Sequence, residues 1–369
     1  MKLFIDPDIR KASTLPSEFY LSVDSFKTSA DLIFARTWQI LADTDELKLA
    51  GALVPKTMLP GFVDEPLVFT RDKQDNIRCL SNVCTHRGNL LIEHPCTDTQ
   101  IRCRYHGRRF ELDGTFKHMP EFDQAECFPT KKDNLPKVAT GAWDRFLFAS
   151  INPACPLDEL IGEMKKRLSF LPLNEFKHTP EHSRDYLVKA NWALYCENYL
   201  EGFHIPFVHE SLNNIIDYNT YTTELYRYSS LQLALSKGGE PVFELPKNSP
   251  DYGKEVIAYY YWVFPNMMFN FYPWGLSLNI IRPIGPALTK VSFMTYIWDQ
   301  AKFDSGSGDM LDKVEREDEA VVENVQRGIR SRLYENGRYS PTRETGTHHF
   351  HRLIAAFMNT PVQDSTPAG

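Results

Sequence analysis

No stretch of the 369-residue chain reaches the roughly 18 consecutive apolar residues that a membrane-spanning helix requires. The start of the chain, Met1–Ser17, carries Asp6, Asp8, Arg10 and Lys11 instead of the apolar core of a secretory signal, so the protein is expected in the cytoplasm. Basic charge is not in excess: 41 Lys and Arg stand against 48 Asp and Glu, a net charge of −7, which argues against a nucleic-acid partner. Seven cysteines, an odd number in a long chain, argue against a disulfide framework and for thiols with individual roles. No glycine-rich dinucleotide fingerprint, internal repeat or low-complexity tract occurs, apart from a tail, Thr360–Gly369, that reads as loose. What the chain does have is a folded protein's balance, 42% hydrophobic and 24% charged, with many aromatics: 24 Phe and 17 Tyr.

Three segments emerge along the chain. Residues 1–38 hold a short helix, with Phe26, Ala30, Ile33, Phe34 and Thr37 near helical spacing, and are expected to pack on the last segment. Residues 39–152 read as short strands broken by turns: Leu67–Thr70, Ile77–Leu80, Arg109–Leu112 before Asp113-Gly114, and Phe146–Ser150. Residues 153–369 mix helices (Leu157–Leu171, Asn191–Phe203, Met310–Leu333) with a long aromatic β region over Val256–Asn279. The fold class is therefore α+β, an all-β block followed by a larger mixed domain.

Within the β block, Cys84-Thr85-His86-Arg87-Gly88 is followed by Cys103-Arg104-Tyr105-His106-Gly107. Each half offers one thiolate and one imidazole from a tight turn, with a glycine free to take positive φ. Facing each other, they form a site of two sulfurs and two nitrogens, suited to tetrahedral zinc or to a [2Fe–2S] cluster. One Cys and one His per hairpin favours the cluster, since both Cys then fall on one iron and both His on the other. The remaining cysteines, Cys79, Cys96, Cys127, Cys155 and Cys196, are expected to serve as small buried apolar residues.

A second set lies in the mixed domain. Glu197, Glu201 and His204 fall at i, i+4 and i+7, so one helical face would carry all three. His204 and His209 diverge by about 140° on a regular helix. Pro206 between them is expected to break that helix and let His209 turn back. Taken alone, both are better explained as satisfied core histidines. In the last long helix the apolar stripe runs Leu311, Val314, Val321, Val322, Val325, Ile329 and Leu333, and Asp318 interrupts it. A carboxylate on a buried face needs a cation, either a metal or an arginine. Its neighbours Glu315, Glu317, Glu319 and Glu323 read as mostly solvated. Thr347–His351, with three histidines, reads as an exposed helix face or a subunit contact. Tyr259–Trp274 reads first as a central strand pair and second as a pocket wall able to hold a trimethylammonium group or an aromatic ring.

The paired Cys-x-His motif resembles the Rieske domain of ring-hydroxylating oxygenase large subunits, and the likeness runs through nearly the whole chain. It implies a Rieske domain placed before a catalytic domain whose antiparallel sheet is flanked by helices. It implies a [2Fe–2S] cluster on Cys84, His86, Cys103 and His106, and Fe(II) on His204, His209 and Asp318, with Val325-Gln326-Arg327-Gly328 at the family's interval after the aspartate. Glu201 matches the acid that bridges the cluster of one subunit to the iron of the next. Glutamate there resembles the carnitine, choline and glycine-betaine monooxygenase branch. Two departures stand beside the cluster motif: Arg104 in place of a proline and Arg108 in place of a tryptophan. The implied partners are O2, a small-molecule substrate, a separate flavin and iron–sulfur reductase, and two further copies in a head-to-tail homotrimer. The expected activity is hydroxylation of a quaternary-ammonium or N-methyl compound. The alternatives are a ring dioxygenase forming a cis-dihydrodiol and a Rieske electron carrier without oxygenase activity.

Overall fold

The computed structural model describes residues 2–304 and 308–360, with the side chains of 308–312 outside the description. The expected loose tail, Thr360 apart, and the Leu311 side chain therefore lie outside the described residues. The chain divides into two compact units, Phe34–Cys155 and Met1–Ile33 with Pro156–Gly369. No helix among the described residues is long and apolar enough to cross a membrane.

The Phe34–Cys155 unit is built from β structure and short turns. Seven strands form one antiparallel sheet and three short ones, Ile101–Arg102, Arg109–Phe110 and Phe116–His118, form another. Glu65–Arg71 pairs with Ile77–Ser81, Val68 opposite Leu80. Asp72 closes the turn between them by accepting from the Gln74 and Asn76 amides at 2.9 Å. Val68, Leu80, Ile101, Phe110 and Leu135 make a core that also takes in Cys84 and Cys103. The two thiols thus sit at the core's edge, held by its packing.

The larger unit carries an eight-stranded antiparallel sheet. Its central strands, Val256–Val263 and Met267–Tyr272, are buried on both faces, which explains their unbroken aromatic and apolar run. Alternation sorts the side chains. Tyr259 faces Arg167, whose guanidinium lies 6.0 Å from its ring, while Trp262 meets Phe350 of the Thr345–Met358 helix at 5.1 Å. Gln232, Tyr260, Asn270 and Ser277 are paired across four strands in one register row, so they share the face of Trp262. That row is the floor beneath the site.

The expected Asn191–Phe203 helix ends at Tyr199, and the expected Met310–Leu333 helix spans Gly308–Gly328. Val325 and Leu333 are exposed, and the inward face is marked by Val322, Gln326 and Ile329. A valine at 325 follows the hydropathy pattern, but a buried glutamine one residue later sets the helix's rotation. Cys96 and Cys127 are exposed, while Cys79 and Cys196 are buried as expected. His348 and His351 are buried too, so Thr347–His351 is not an exposed face. His351 Nε2 lies 3.0 Å from Glu197 Oε1, which also accepts from the Tyr20 hydroxyl at 2.7 Å.

Candidate functional site

The two Cys-x-His loops share one backbone pattern. Gly88 N–H donates to the Cys84 carbonyl and Cys84 N–H to the Asn89 carbonyl; Gly107 and Cys103 repeat this with Cys103 and Arg108. Gly88 and Gly107 have φ of 70° and 75°, the left-handed region that glycine adopts without strain. Both thiols are buried, and the imidazoles of His86 and His106 stand 4.8 Å apart. Two buried thiols with two paired imidazoles fit the donor set of a [2Fe–2S] cluster.

Arg108 is not a surface variation. It is buried, its Nη2 donates to Asp133 Oδ1 at 2.6 Å, and its guanidinium lies 4.9 to 5.7 Å from the rings of Phe110, Phe116 and Phe128. The cation therefore occupies an aromatic box closed by one carboxylate.

The second constellation assembles from three breaks in helical structure. Asn191 caps the Trp192–Tyr199 helix, its Oδ1 accepting from Ala193 N–H at 3.0 Å. After Tyr199 the chain leaves the helix, so Glu197 and Glu201 do not share a face, contrary to the spacing argument. Glu201 turns toward His204, and Glu197 toward Tyr20. The break falls before His204, not at Pro206, which sits in the first turn of a one-turn helix, Ile205–Val208. His204 and His209 flank that turn, with ring centroids 5.1 Å apart.

Each imidazole is oriented by a carboxylate. Glu201 Oε1 lies 2.7 Å from His204 Nδ1, and Glu317 Oε2 lies 2.8 Å from His209 Nδ1. Because a carboxylate accepts, each Nδ1 carries a proton, which leaves Nε2 as the nitrogen that a metal would take. Those nitrogens face Asp318 Oδ1, at 3.5 Å from His204 and 2.9 Å from His209. The donor atoms of His204, His209 and Asp318 all lie within 4.8 Å of one another. Two imidazole nitrogens and one carboxylate oxygen this close together form a donor set that could hold a metal ion. Burial disfavours a charged His209, yet the Asp318 and Glu317 carboxylates outweigh it and raise its pKa above the ordinary imidazole value. Two imidazoles and one carboxylate fit ferrous iron with open positions.

Glu317 was missed by reading the helix's acids as solvated, and so was Glu323, whose Oε1 accepts from Lys189 N–H at 2.9 Å. Gln326, buried eight residues after Asp318, accepts from Asn191 N–H at 2.7 Å. It ties the aspartate's helix to the start of the helix that leads to His204, and so sets their separation. The signal for Gln326 was present in sequence as a polar residue beside the apolar stripe.

A cavity of about 390 Å³ opens onto these three residues. Its walls include Tyr221, Tyr260, Tyr272 and Trp274, and its floor includes Gln232 and Asn270. Tyr199 anchors the floor, its hydroxyl donating to Asn270 Oδ1 at 2.7 Å. Burial pushes the Tyr260 hydroxyl up to about 12, so its ring stays neutral at physiological pH.

Residues 174–360 match the ring-hydroxylating alpha subunit catalytic domain, and residues 37–129 match the Rieske [2Fe-2S] domain. Choline monooxygenase of Arabidopsis thaliana, a chloroplastic protein, is 30% identical over 95% of this chain and 84% of its own length. The chain belongs to the ring-hydroxylating oxygenase α-subunit family. This oxygenase is also 26% identical to the carnitine monooxygenase oxygenase subunit of Escherichia coli K12, over 94% of each chain. Its fold matches the structure of a quaternary ammonium Rieske monooxygenase with a TM-score of 0.75 at 24% identity, covering 96% of this chain and 97% of that one. Naphthalene 1,2-dioxygenase from Rhodococcus matches with a TM-score of 0.73 at 17% identity, over 94% and 95% of the two chains. This oxygenase is thus an oxidoreductase with a Rieske [2Fe–2S] cluster and a mononuclear iron.

Proposed function

We propose that this oxygenase hydroxylates a small quaternary-ammonium or N-methyl compound at iron held by His204, His209 and Asp318. The cluster is held by Cys84, His86, Cys103 and His106. The observation that carries the reading is the cavity that combines aromatic walls with carboxylates and opens onto the three converging donors. Rings of Tyr and Trp attract a desolvated ammonium through their faces. Iron in that position supplies the binding and activation of dioxygen.

The chain's own residues do the rest. Glu201 and Glu317 keep the Nδ1 protons in place, so both Nε2 lone pairs stay aimed inward. The aromatic wall holds the cation and excludes water from the reacting carbon. In overall balance, a C–H bond, O2, two electrons and two protons give C–OH and water. Where the carbon bears nitrogen, the carbinolamine then breaks its C–N bond and releases an aldehyde and an amine. The electrons come from a separate reductase, in keeping with the missing dinucleotide fingerprint.

The reading includes a head-to-tail trimer with Glu201 as the link. Glu201 Oε2 accepts from the amides of Phe203 and His204, and Oε1 from His204 Nδ1. A carboxylate offers about four acceptor sites, so one is left for a cluster imidazole of a partner subunit. Oxygen uptake with a compatible reductase tests the activity. Uptake matched by aldehyde release with N-methyl ammonium compounds is expected, whereas a cis-dihydrodiol from an aromatic hydrocarbon, without ammonium turnover, would overturn the reading.

A further inference from the structure

Arg108 places a positive charge against both cluster loops. It stands two residues after His106, and its carbonyl accepts from Cys103 N–H at 2.8 Å, which closes the second loop. From the first loop Thr85, the residue between Cys84 and His86, donates its hydroxyl to the Asp133 carbonyl at 2.8 Å. Arg108 Nη2 donates to that same carbonyl at 3.1 Å as well as to the Asp133 carboxylate. Asp133 therefore ties the guanidinium to the loop of Cys84 and His86.

Aromatic rings fill another route from the cation to a ligand. The Phe128 ring, 5.6 Å from the guanidinium, lies 4.9 Å from the Phe122 ring, which meets the His86 imidazole edge to face at 5.5 Å. A charge acts more strongly across hydrocarbon than across water.

The carboxylate does not cancel this cation. The Arg108 side chain is 2% exposed and the Asp133 side chain 19%, so water screens the anion more than the cation. The anion is also shared, accepting from Thr130 N–H at 2.7 Å and the Thr130 hydroxyl at 3.0 Å. Arg108 Nε, by contrast, is buried without a hydrogen-bond partner among the described residues. What remains is a net positive field.

We propose that Arg108 tunes the [2Fe–2S] cluster, its buried charge raising the cluster's reduction potential. The inference rests on the cluster being held by Cys84, His86, Cys103 and His106. Reduction adds one electron from the reductase, and with it one negative charge, to the cluster. A fixed cation nearby stabilises the more negative state. The cluster then takes the electron from the reductase more readily and yields it to the iron less readily. A neutral tryptophan here, as in the family's motif, would supply no such field.

The test is a dye-mediated titration with dithionite, one electron per cluster, on full-length, cluster-loaded protein, followed by bleaching of the visible absorption. Arg108→Gln is expected to lower the equilibrium constant for reduction about tenfold, ~59 mV for one electron. Arg108→Lys keeps the charge and is expected to retain most of the parent's potential. Asp133→Asn keeps both acceptors, removes the negative charge, and is expected to raise the potential; it carries the test where Arg108→Gln does not hold its cluster. No change in Arg108→Gln, equal falls in Arg108→Gln and Arg108→Lys, or an Asp133→Asn potential at or below the parent's overturns the inference, because the box then acts by packing alone. Absence of cluster absorption from the parent protein after reconstitution with iron and sulfide overturns instead the ligand assignment beneath it.

Discussion

Asp318→Ala is expected to purify with its cluster colour intact, without mononuclear iron, and with oxygen uptake abolished. Asp318 Oδ1 faces both Nε2 atoms, at 2.9 and 3.5 Å, and is the single carboxylate of the converging set. Removing an outer partner of a metal ligand weakens affinity by about 10–100-fold, and removing the anionic ligand itself exceeds that range. Folding should not suffer, because the aspartate's helix stays docked through Gln326 and Glu323. Glu201→Gln separates the roles: it is expected to keep both metals and slow electron delivery. Metal analysis, the visible spectrum and single-turnover oxidation of the cluster check these outcomes. A fully iron-loaded, active Asp318→Ala variant would contradict the assignment of the triad.

Arg108→Leu is expected to destabilise the Rieske unit by about 3 kcal/mol. Breaking a buried ion pair on one side leaves the other charge uncompensated. Here the discount is partial, because the Asp133 side chain is 19% exposed and keeps its bond from Thr130 N–H at 2.7 Å. Loss of the guanidinium from among three phenylalanine rings adds to the effect. A lowering of the unit's Tm on the order of 10 °C follows. A thermal melt followed by bleaching of the cluster's absorption reads it. An unchanged melting temperature would show that the box closes as well around an aliphatic side chain.

The cluster loops were legible because their chemistry is local: ligand, spacing and glycine lie within five residues of one another. The aromatic β region was legible for the same reason, since an unbroken apolar run marks strands buried on both faces. The His204 turn was not. Its spacing fits a helix, but the chain leaves the helix after Tyr199, and Glu201 satisfies the amides of Phe203 and His204 in its place. The acids around Asp318 were misread because an exposed-looking glutamate in sequence can turn inward to an imidazole 108 residues away, as Glu317 does to His209. Arg108 shows the same limit: a cation at a position that usually carries an aromatic gave no sign of the three rings and one carboxylate that would receive it.

The most direct measurement is a metal and sulfide count on full-length protein prepared anaerobically with ample iron. The account predicts a red-brown protein with three irons per chain, two in the acid-labile cluster and one released by Asp318→Ala. A colourless preparation holding zinc in place of iron would contradict it.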